Sequence, residues 1–253
     1  MSGEPLPRAL AEQIASAFLP PHRLLNRWDF HYILSKLSTD PLYPGVLGAL
    51  RGTSAPVMDL GCGLGLLAHA LRQDGQSVPY YGVDNDAGKI GRAIAAADRT
   101  ALGSTRFEVV DLAHRLPEHA GSVAILDVLQ YLQAPAQRQL LENVVAMLTP
   151  GARLVIRTGL VDGSRRGLVS RVGDRAANLV GWMQSSPRCY PSADGLRAIL
   201  EGAGMQVRIE PLWGRTPFNN WLVVAGRAQD AASADAVHHA AGMRSSSSGS
   251  TVA

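Results

Sequence analysis

The sequence predicts an α/β fold built around a parallel sheet, and three observations support this prediction. Short apolar runs alternate with helical patterns between residues 56 and 157. Three glycines separate the first apolar run from a leucine-rich helical run, in VMDLGCGLGLLAHAL at 57–71. Acidic residues lie at the ends of four of the apolar runs. Alternation of this kind is typical of βαβ units with right-handed crossovers.

The expected elements follow from periodicity and end signals. Helices are expected at 7–18 and 28–37, with a third after Pro41. Strands at 56–60, 79–83, 106–110, 122–127 and 152–157 then alternate with helices at about 64–74, 86–101 and 135–148. An arginine-bearing helix at 162–184 and a helix at 192–203 with Ser192 as its N-cap come next. Strand-like runs at 205–212 and 219–227 predict an antiparallel hairpin at the sheet edge.

These elements divide the chain into three parts. Residues 1–51 form an N-terminal helical lid, and residues 52–228 form the main domain, with a cap insert at 162–190. Residues 229–253 consist mainly of Ala, Ser, His and Gly, so we expect a disordered tail that buries too little apolar surface to order.

Composition excludes several classes of protein. No run of about 18 uncharged apolar residues predicts a membrane-spanning helix, and the N-terminus lacks the apolar block of a secretory signal. The two cysteines are too few for a disulfide framework or a zinc site, so we expect no metal and a reducing, cytoplasmic setting. The net charge is +3, but the basic residues are spread along the chain, which argues against a nucleic-acid partner.

The glycines lie where a ligand can approach the main chain of an α/β protein. A dinucleotide fingerprint has the spacing G-x-G-x-x-G. Here Gly61, Gly63 and Gly65 have the spacing G-x-G-x-G, and Leu66 occupies the position of the third fingerprint glycine. This spacing argues against NAD.

Acidic residues mark the carboxyl edge of the predicted sheet, where ligands bind in open α/β folds. A carboxylate such as Asp84 can accept from both hydroxyls of a ribose. Asp111 followed by Leu112 suits an adenine amino group and ring face, and Asp127 ends the fourth strand. Aspartates are also common turn residues at strand ends, so each one alone carries little weight.

The motifs DLGCGLG, GVDND, VVDL and ILDVLQYL, in that order, resemble the class I S-adenosylmethionine-dependent methyltransferases. The resemblance covers roughly residues 55–227. It implies a Rossmann-like sheet of seven strands with the last antiparallel, helices on both faces, and S-adenosylmethionine as cofactor. It also implies the cofactor-binding residues. By this resemblance Asp59, Gly61, Cys62 and Gly63 lie beside the methionine part, and Asp84 and Asn85 beside the ribose. By the same resemblance Asp111 and Leu112 flank the adenine, and Asp127 and Val128 line the pocket floor.

Methyl transfer from a sulfonium needs alignment of donor and acceptor, and a base only where the nucleophile carries a proton. The candidate bases are His31, in the helix that similar enzymes fold over the active site, and Tyr131, on the loop that borders the acceptor pocket. His114 is expected at the surface. Lys36 can pair with the cofactor carboxylate, or it is a solvated lysine; the sequence leaves both open.

The insert after the fifth strand commonly walls the acceptor site in similar enzymes. The arginines of the insert fit a solvated helix face, an anionic membrane or an acidic carrier protein. The aromatic residues Trp182, Tyr190, Trp213 and Phe218 supply an apolar lining, which indicates a lipophilic or aromatic small-molecule acceptor. A faint resemblance to methyltransferases of bacterial pigment and polyketide-like clusters agrees with this. The sequence leaves open an acceptor attached to an acyl carrier protein, peripheral membrane contact, and the oligomeric state. The alternatives are a nucleic-acid or protein methyltransferase, a nicotinamide enzyme, and a cofactor-binding module without turnover.

Overall fold

The structure is a computed structural model that describes residues 3–20, 27–161 and 189–227. Seven α-helices lie in these ranges: α1 (Arg8–Ser16), α2 (Trp28–Thr39), α3 (Leu42–Leu50), α4 (Leu66–Gln73), α5 (Ala87–Arg99), α6 (Ala134–Met147) and α7 (Ala193–Gly202). One 3₁₀ turn, Leu129–Tyr131, precedes α6. The predicted arginine-bearing helix and the predicted disordered tail lie outside the described residues.

The sheet has seven strands: β1 (Val57–Leu60), β2 (Tyr80–Asp84), β3 (Thr105–Val109), β4 (Ser122–Leu126), β5 (Leu154–Gly159), β6 (Met205–Pro211) and β7 (Asn220–Arg227). Their order is β3-β2-β1-β4-β5-β7-β6. The pairs among β1–β5 are parallel, whereas β7 is antiparallel to both β5 and β6. The predicted fold class and the predicted hairpin at the sheet edge are therefore confirmed.

Alternation along the strands sends side chains to two separate cores. On one face Val57, Tyr80 and Val155 pack with residues of α1–α4. On the other face Met58 and Ile156 pack with residues of α6 and α7. Asp59 and Arg157, each two residues after a member of the first set, therefore point toward the face that carries α1–α4.

The N-terminal helices contribute to the first of these cores. Ile33 and Leu37 of α2 are fully buried, and α3 has seven buried residues in its nine. Gly45 lets α3 approach Leu212, because a Cβ there would lie 2.7 Å from that side chain. The segment that joins α2 to α3 is thus held over the carboxyl edge of the sheet. The predicted boundary of a lid at residue 51 remains a prediction.

None of the helices in the described ranges is both long enough and apolar enough to cross a membrane.

The start of α4 gives a stability prediction. Gly65 caps this helix with φ +69°, and a Cβ there would lie 2.4 Å from the Phe107 ring. Gly75 has a similar φ of +77° but open space around its Cβ position. We expect Gly75→Ala to cost about 1–2 kcal/mol in free energy of unfolding, from backbone strain alone. Gly65→Ala should cost clearly more, because the ring must also move. Urea denaturation measures both, and equal losses would contradict the packing described.

Candidate active site

The glycine loop after β1 is held by the end of β2. The carbonyl oxygen of Val83 accepts hydrogen bonds from the amides of Gly61 at 2.8 Å and Cys62 at 2.9 Å. Gly61 and Gly63 have φ values of +80° and +57°, in the left-handed region that glycine adopts without strain. A Cβ on Gly61 would lie 2.4 Å from Val128, so bare backbone is required there. Around Gly63 the space is open, which leaves room for a ligand against the main chain.

Asp84 ties this loop to the end of β2. One carboxylate oxygen accepts from the Gly63 amide at 2.9 Å, and the other accepts from the Asp86 amide at 2.9 Å. The side chain is buried, while Asn85 beside it is exposed. A carboxylate has about four lone-pair sites, so Asp84 keeps acceptor capacity for a diol after these two bonds.

Asp59 lies beneath the glycine loop, in the interior of the protein. Its Oδ2 accepts a hydrogen bond from the Tyr80 hydroxyl at 2.7 Å, and its Oδ1 has no partner among the described residues. The residue is only 2% exposed. Burial raises the pKa of Asp59 to about 7, although the Tyr80 hydrogen bond opposes this. A buried oxygen without a donor fits a cationic ligand group.

The adenine-side residues are more open than the rest. Asp111 lies two residues beyond β3 and is exposed; it accepts from the Ala113 amide at 2.9 Å and contacts His114 at 2.8 Å. The Ala113 hydrogen bond, with that of His114, lowers the pKa of Asp111. Leu112 is half-buried against the core that contains α6. Asp111 is therefore an ionised acceptor at the rim of the site.

A cluster of one buried and three half-buried charged side chains joins α2 and the α2–α3 segment to the ends of β4 and β5. Arg157, with a side chain 4% exposed, donates to Asp127 at 2.5 Å and to both carboxylate oxygens of Asp40 at 2.9 and 3.1 Å. Asp40 also accepts from the Leu42 amide at 3.0 Å, at the start of α3. Lys36 Nζ lies 3.7 Å from the same Asp127 oxygen that Arg157 contacts.

The cluster keeps its cations charged. Burial would lower the pKa of Arg157, but the carboxylates of Asp127 and Asp40 outweigh it and raise that pKa. Tyr32 contributes most to raising the pKa of Lys36, with Tyr43 and the same two carboxylates adding to it against burial. Lys36 is therefore protonated at neutral pH and half-buried beside the site.

Asp127 has an unusual backbone for a residue that is not glycine. Its φ is +60°, in a region that costs free energy unless the surroundings enforce it. Two bonds to one residue of β5 enforce it: the Asp127 amide donates to the Arg157 carbonyl oxygen at 2.8 Å, and the side chains form the ion pair. The next residue, Val128, then lies under Gly61.

The candidate bases lie in different surroundings. His31 is exposed on α2, with its ring 5.2 Å from the Phe30 ring in an edge-on arrangement. Tyr131 is half-buried and ends the 3₁₀ turn after β4. His114 is exposed, as expected. The structure thus brings Lys36 and Asp127 together and leaves His31 on the outer side of α2.

Sequence reasoning missed two groups of residues here. The first is Asp40 and Arg157; an arginine inside the apolar run LVIRTG was the available signal. The second comprises Gln130, Gln137 and Thr158. Gln137 donates to the carbonyl oxygens of Leu129, Leu132 and Cys189, and Thr158 donates to the Gln130 side chain at 3.2 Å. These bonds hold the Tyr131 turn against the segment where the described chain resumes after the insert.

The residues present fit S-adenosylmethionine. The loop offers bare backbone at Gly63, Asp84 offers acceptors for a diol, and the free oxygen of Asp59 and the ammonium of Lys36 complement an ammonium and a carboxylate. Across residues 3–20, 27–161 and 189–227, no group of three or more His, Cys, Asp or Glu side chains could hold a metal ion.

The strand order, the reversed β7 and this glycine loop give the chain the Rossmann-like fold of class I methyltransferases. Residues 52–188 match the family model described as a methyltransferase domain, and the chain belongs to that family. It is a methyltransferase whose cofactor is S-adenosylmethionine. No curated protein matches the chain in sequence.

Solved structures share this fold at low identity. Magnesium protoporphyrin IX methyltransferase from Synechocystis PCC 6803, with bound SAH, is 20% identical with a TM-score of 0.59, over 84% of this chain and 92% of that one. An O-methyltransferase family protein from Burkholderia thailandensis is 22% identical with a TM-score of 0.61, over 89% and 65%. The pyocyanin biosynthetic protein PhzM is 20% identical with a TM-score of 0.60, over 81% and 60%. The matched region thus spans less than two thirds of the last two proteins.

The buried carboxyl of Asp59 predicts a pH dependence of stability. Because its pKa is raised in the folded protein, the folded state holds a proton between about pH 4 and 7 that the unfolded state releases. This stabilisation is complete below pH 4, falls as the pH rises, and is lost above pH 7. Asp59→Asn removes the dependence, so above pH 7 the variant should be more stable than the wild type, by on the order of 4 kcal/mol.

Urea denaturation of both proteins from pH 4 to 8 measures this difference. His69 titrates in the same window with the opposite sign, because burial lowers its pKa to about 4. It is present in both proteins, so the difference between the two curves isolates Asp59. A difference that does not change with pH would contradict a raised pKa for Asp59.

Proposed function

We propose that the chain methylates a lipophilic or aromatic small molecule. The observation that carries the proposal is a group of aromatic side chains at the carboxyl edge, on the segment before α7, in the loop that joins β6 to β7 and at the start of β7. Tyr190 packs on the end of β5, where a Cβ on Gly159 would lie 2.9 Å from its ring. Trp213 meets Trp221 edge-on at 5.1 Å, and Phe218 is 38% exposed in the same loop. Aromatic walls with a few polar groups are typical of small-molecule sites.

The cofactor supplies a methyl group on a sulfonium, and the chain's residues hold the reactants. In this proposal Asp59, Gly61, Cys62 and Gly63 bind the methionine part, Lys36 its carboxylate, and Asp84 with Asn85 the ribose. Asp111 and Leu112 bind the adenine, and Asp127 with Val128 forms the pocket floor. The hydrogen bonds of Asp84 to the loop and the open space at Gly63 support this assignment.

Tyr131 is the proposed base for an acceptor that carries a proton, with His31 second. Tyr131 lies half-buried on the acceptor side, in a turn that Gln137 fixes through two of its carbonyl oxygens. His31 is exposed on α2 and is therefore the second choice. The N-terminal segment is proposed to cover the acceptor, because the 212–219 loop contacts it: Gly214 approaches Gly3 and Pro41.

Three solved neighbours support the class of acceptor by their names: magnesium protoporphyrin IX methyltransferase, the pyocyanin biosynthetic protein PhzM and mitomycin 7-O-methyltransferase MmcR. The proposal includes a reducing, cytoplasmic setting, supported by Cys62 and Cys189, neither of which is in a disulfide. The proposal covers both a free acceptor and one attached to an acyl carrier protein.

Transfer of labelled methyl from S-adenosylmethionine tests the acceptor class. We expect incorporation into hydroxylated polycyclic aromatic compounds, and none into RNA or into protein from a cell extract. Incorporation into RNA or protein alone would contradict the proposal. If an acceptor is methylated when bound to an acyl carrier protein but not in its free form, the carrier protein is part of the substrate.

Asp84→Asn tests the ribose assignment. Loss of a hydrogen bond to a charged acceptor costs roughly 1.5–3 kcal/mol, so the Kd for S-adenosylhomocysteine should rise at least about tenfold. Asp86→Asn is the matched control, because Asp86 caps α5 by accepting from the Lys89 amide and has no proposed ligand. Calorimetric titration measures both, and an unchanged Kd in folded Asp84→Asn would overturn the assignment.

Tyr131→Phe tests the base. It should lower kcat by about 10²–10⁴-fold for a hydroxyl acceptor, the range for a general base, and leave the Kd for S-adenosylhomocysteine unchanged. Tyr81→Phe is the control: it removes a hydroxyl that bonds Glu108 near the opposite edge of the sheet. Unchanged turnover in Tyr131→Phe, with a loss in His31→Ala, would make His31 the base.

A further inference from the structure

The charge cluster at the end of β5 contains two cations, Arg157 and Lys36, and each has its own candidate role. Arg157 and Lys36 both approach the same oxygen of Asp127, but at different distances. The guanidinium lies at 2.5 Å, within a strong charge-assisted hydrogen bond, whereas the ammonium lies at 3.7 Å, beyond hydrogen-bond distance. Arg157 therefore satisfies this oxygen, and Lys36 is attracted to it without being held.

We propose that Arg157 is a positioning residue that saturates Asp127 and so keeps the Lys36 ammonium available for the cofactor carboxylate. This inference rests on the proposed role of Lys36 at the cofactor carboxylate. Arg157 touches no proposed ligand group; it acts only by occupying the carboxylate that would otherwise capture Lys36.

The geometry of Arg157 suits this role. Its planar guanidinium donates to Asp40 from one terminal nitrogen and to Asp127 from the other. The single nitrogen of a lysine ammonium could not contact both carboxylates in this arrangement. Asp40 is fixed in turn by the Leu42 amide at the start of α3. The arginine is thus held in place from the N-terminal segment as well as from β5, and it cannot turn away from Asp127.

The charge balance explains why Lys36 would respond to the loss of Arg157. The cluster has two cations and two carboxylates, all at least partly buried. Without the guanidinium, a partly buried Asp127 would lack its partner, and leaving such a charge unpaired is unfavourable. Lys36 has a flexible four-carbon stem and lies only 3.7 Å away, so it would close onto Asp127 and turn from the cofactor.

The test compares two probes, S-adenosylhomocysteine and its decarboxylated analogue, which keeps the ammonium, ribose and adenine. Calorimetry gives the Kd of each, and the ratio reports recognition of the carboxylate alone. We expect the wild type to prefer S-adenosylhomocysteine by at least about tenfold, as a charge-assisted pair implies. Lys36→Met and Arg157→Met should each lose most of that preference, and the double variant should lose no more than either single variant.

Arg153→Met is the matched control. Arg153 also links the β5 region to the N-terminal segment, through the Ala49 carbonyl oxygen at 2.6 Å, but it contacts no carboxylate of the cluster. It should keep the preference for S-adenosylhomocysteine. If Arg157 had only a structural role, Arg157→Met and Arg153→Met would have the same effect on the preference for S-adenosylhomocysteine.

Arg157→Met leaves two carboxylates without their partner and can prevent folding. Asp40→Asn combined with Arg157→Met removes one charge of each sign, so the cluster stays balanced, and this variant should also lose the preference. Asp40→Asn alone leaves Arg157 on Asp127 and should keep it.

The outcomes separate the inference from the proposed function. If Lys36→Met keeps the preference, Lys36 does not bind the carboxylate, and both the assignment and the inference fail. If Lys36→Met loses the preference while Arg157→Met and the balanced double variant keep it, the assignment stands and the inference is overturned.

Discussion

The site depends on the attachment of the glycine loop to the end of β2. The amides of Gly61 and Cys62 donate to the Val83 carbonyl oxygen, and the Gly63 amide donates to the Asp84 carboxylate. These bonds hold a left-handed backbone that only glycine adopts without strain. They also set the start of α4 and place Gly61 on Val128. The neighbouring strands β1, β2 and β4 are thereby joined at one point of the carboxyl edge.

Around this loop the protein buries charges, and each has a reason in the geometry. Asp59 keeps one hydrogen bond, from Tyr80, and one oxygen without a donor, so its ionised form is unfavourable until a cation arrives. Arg157 is buried beside two carboxylates, one from the N-terminal segment and one from the end of β4. Buried pairs of this kind add little net stability but are costly to break. The buried charged groups of the site therefore orient neighbouring side chains more than they stabilise the fold.

Local sequence was enough to predict the strands, the glycine loop and the acids at the sheet edge, because each leaves a signal within a few residues. The loop needs three glycines, and strand-end acids directly follow apolar runs. The pairing of Arg157 with Asp40 leaves no such signal: the arginine stands out within the apolar run LVIRTG, but its partner lies 117 residues away, and only the fold brings the two together. His31 lies in an aromatic, partly apolar helix, and only the packing of Ile33 and Leu37 shows that it is on the outer side.

The shape of the G-x-G-x-G loop suits a cofactor that has no phosphate beside the main chain, rather than a dinucleotide. Calorimetric titration of the wild-type protein with S-adenosylhomocysteine and with NAD tests it most directly. We expect a Kd for S-adenosylhomocysteine on the order of micromolar, about −8 kcal/mol, and no binding of NAD at millimolar concentration. Binding of NAD in place of S-adenosylhomocysteine would show that the loop is instead shaped for a dinucleotide.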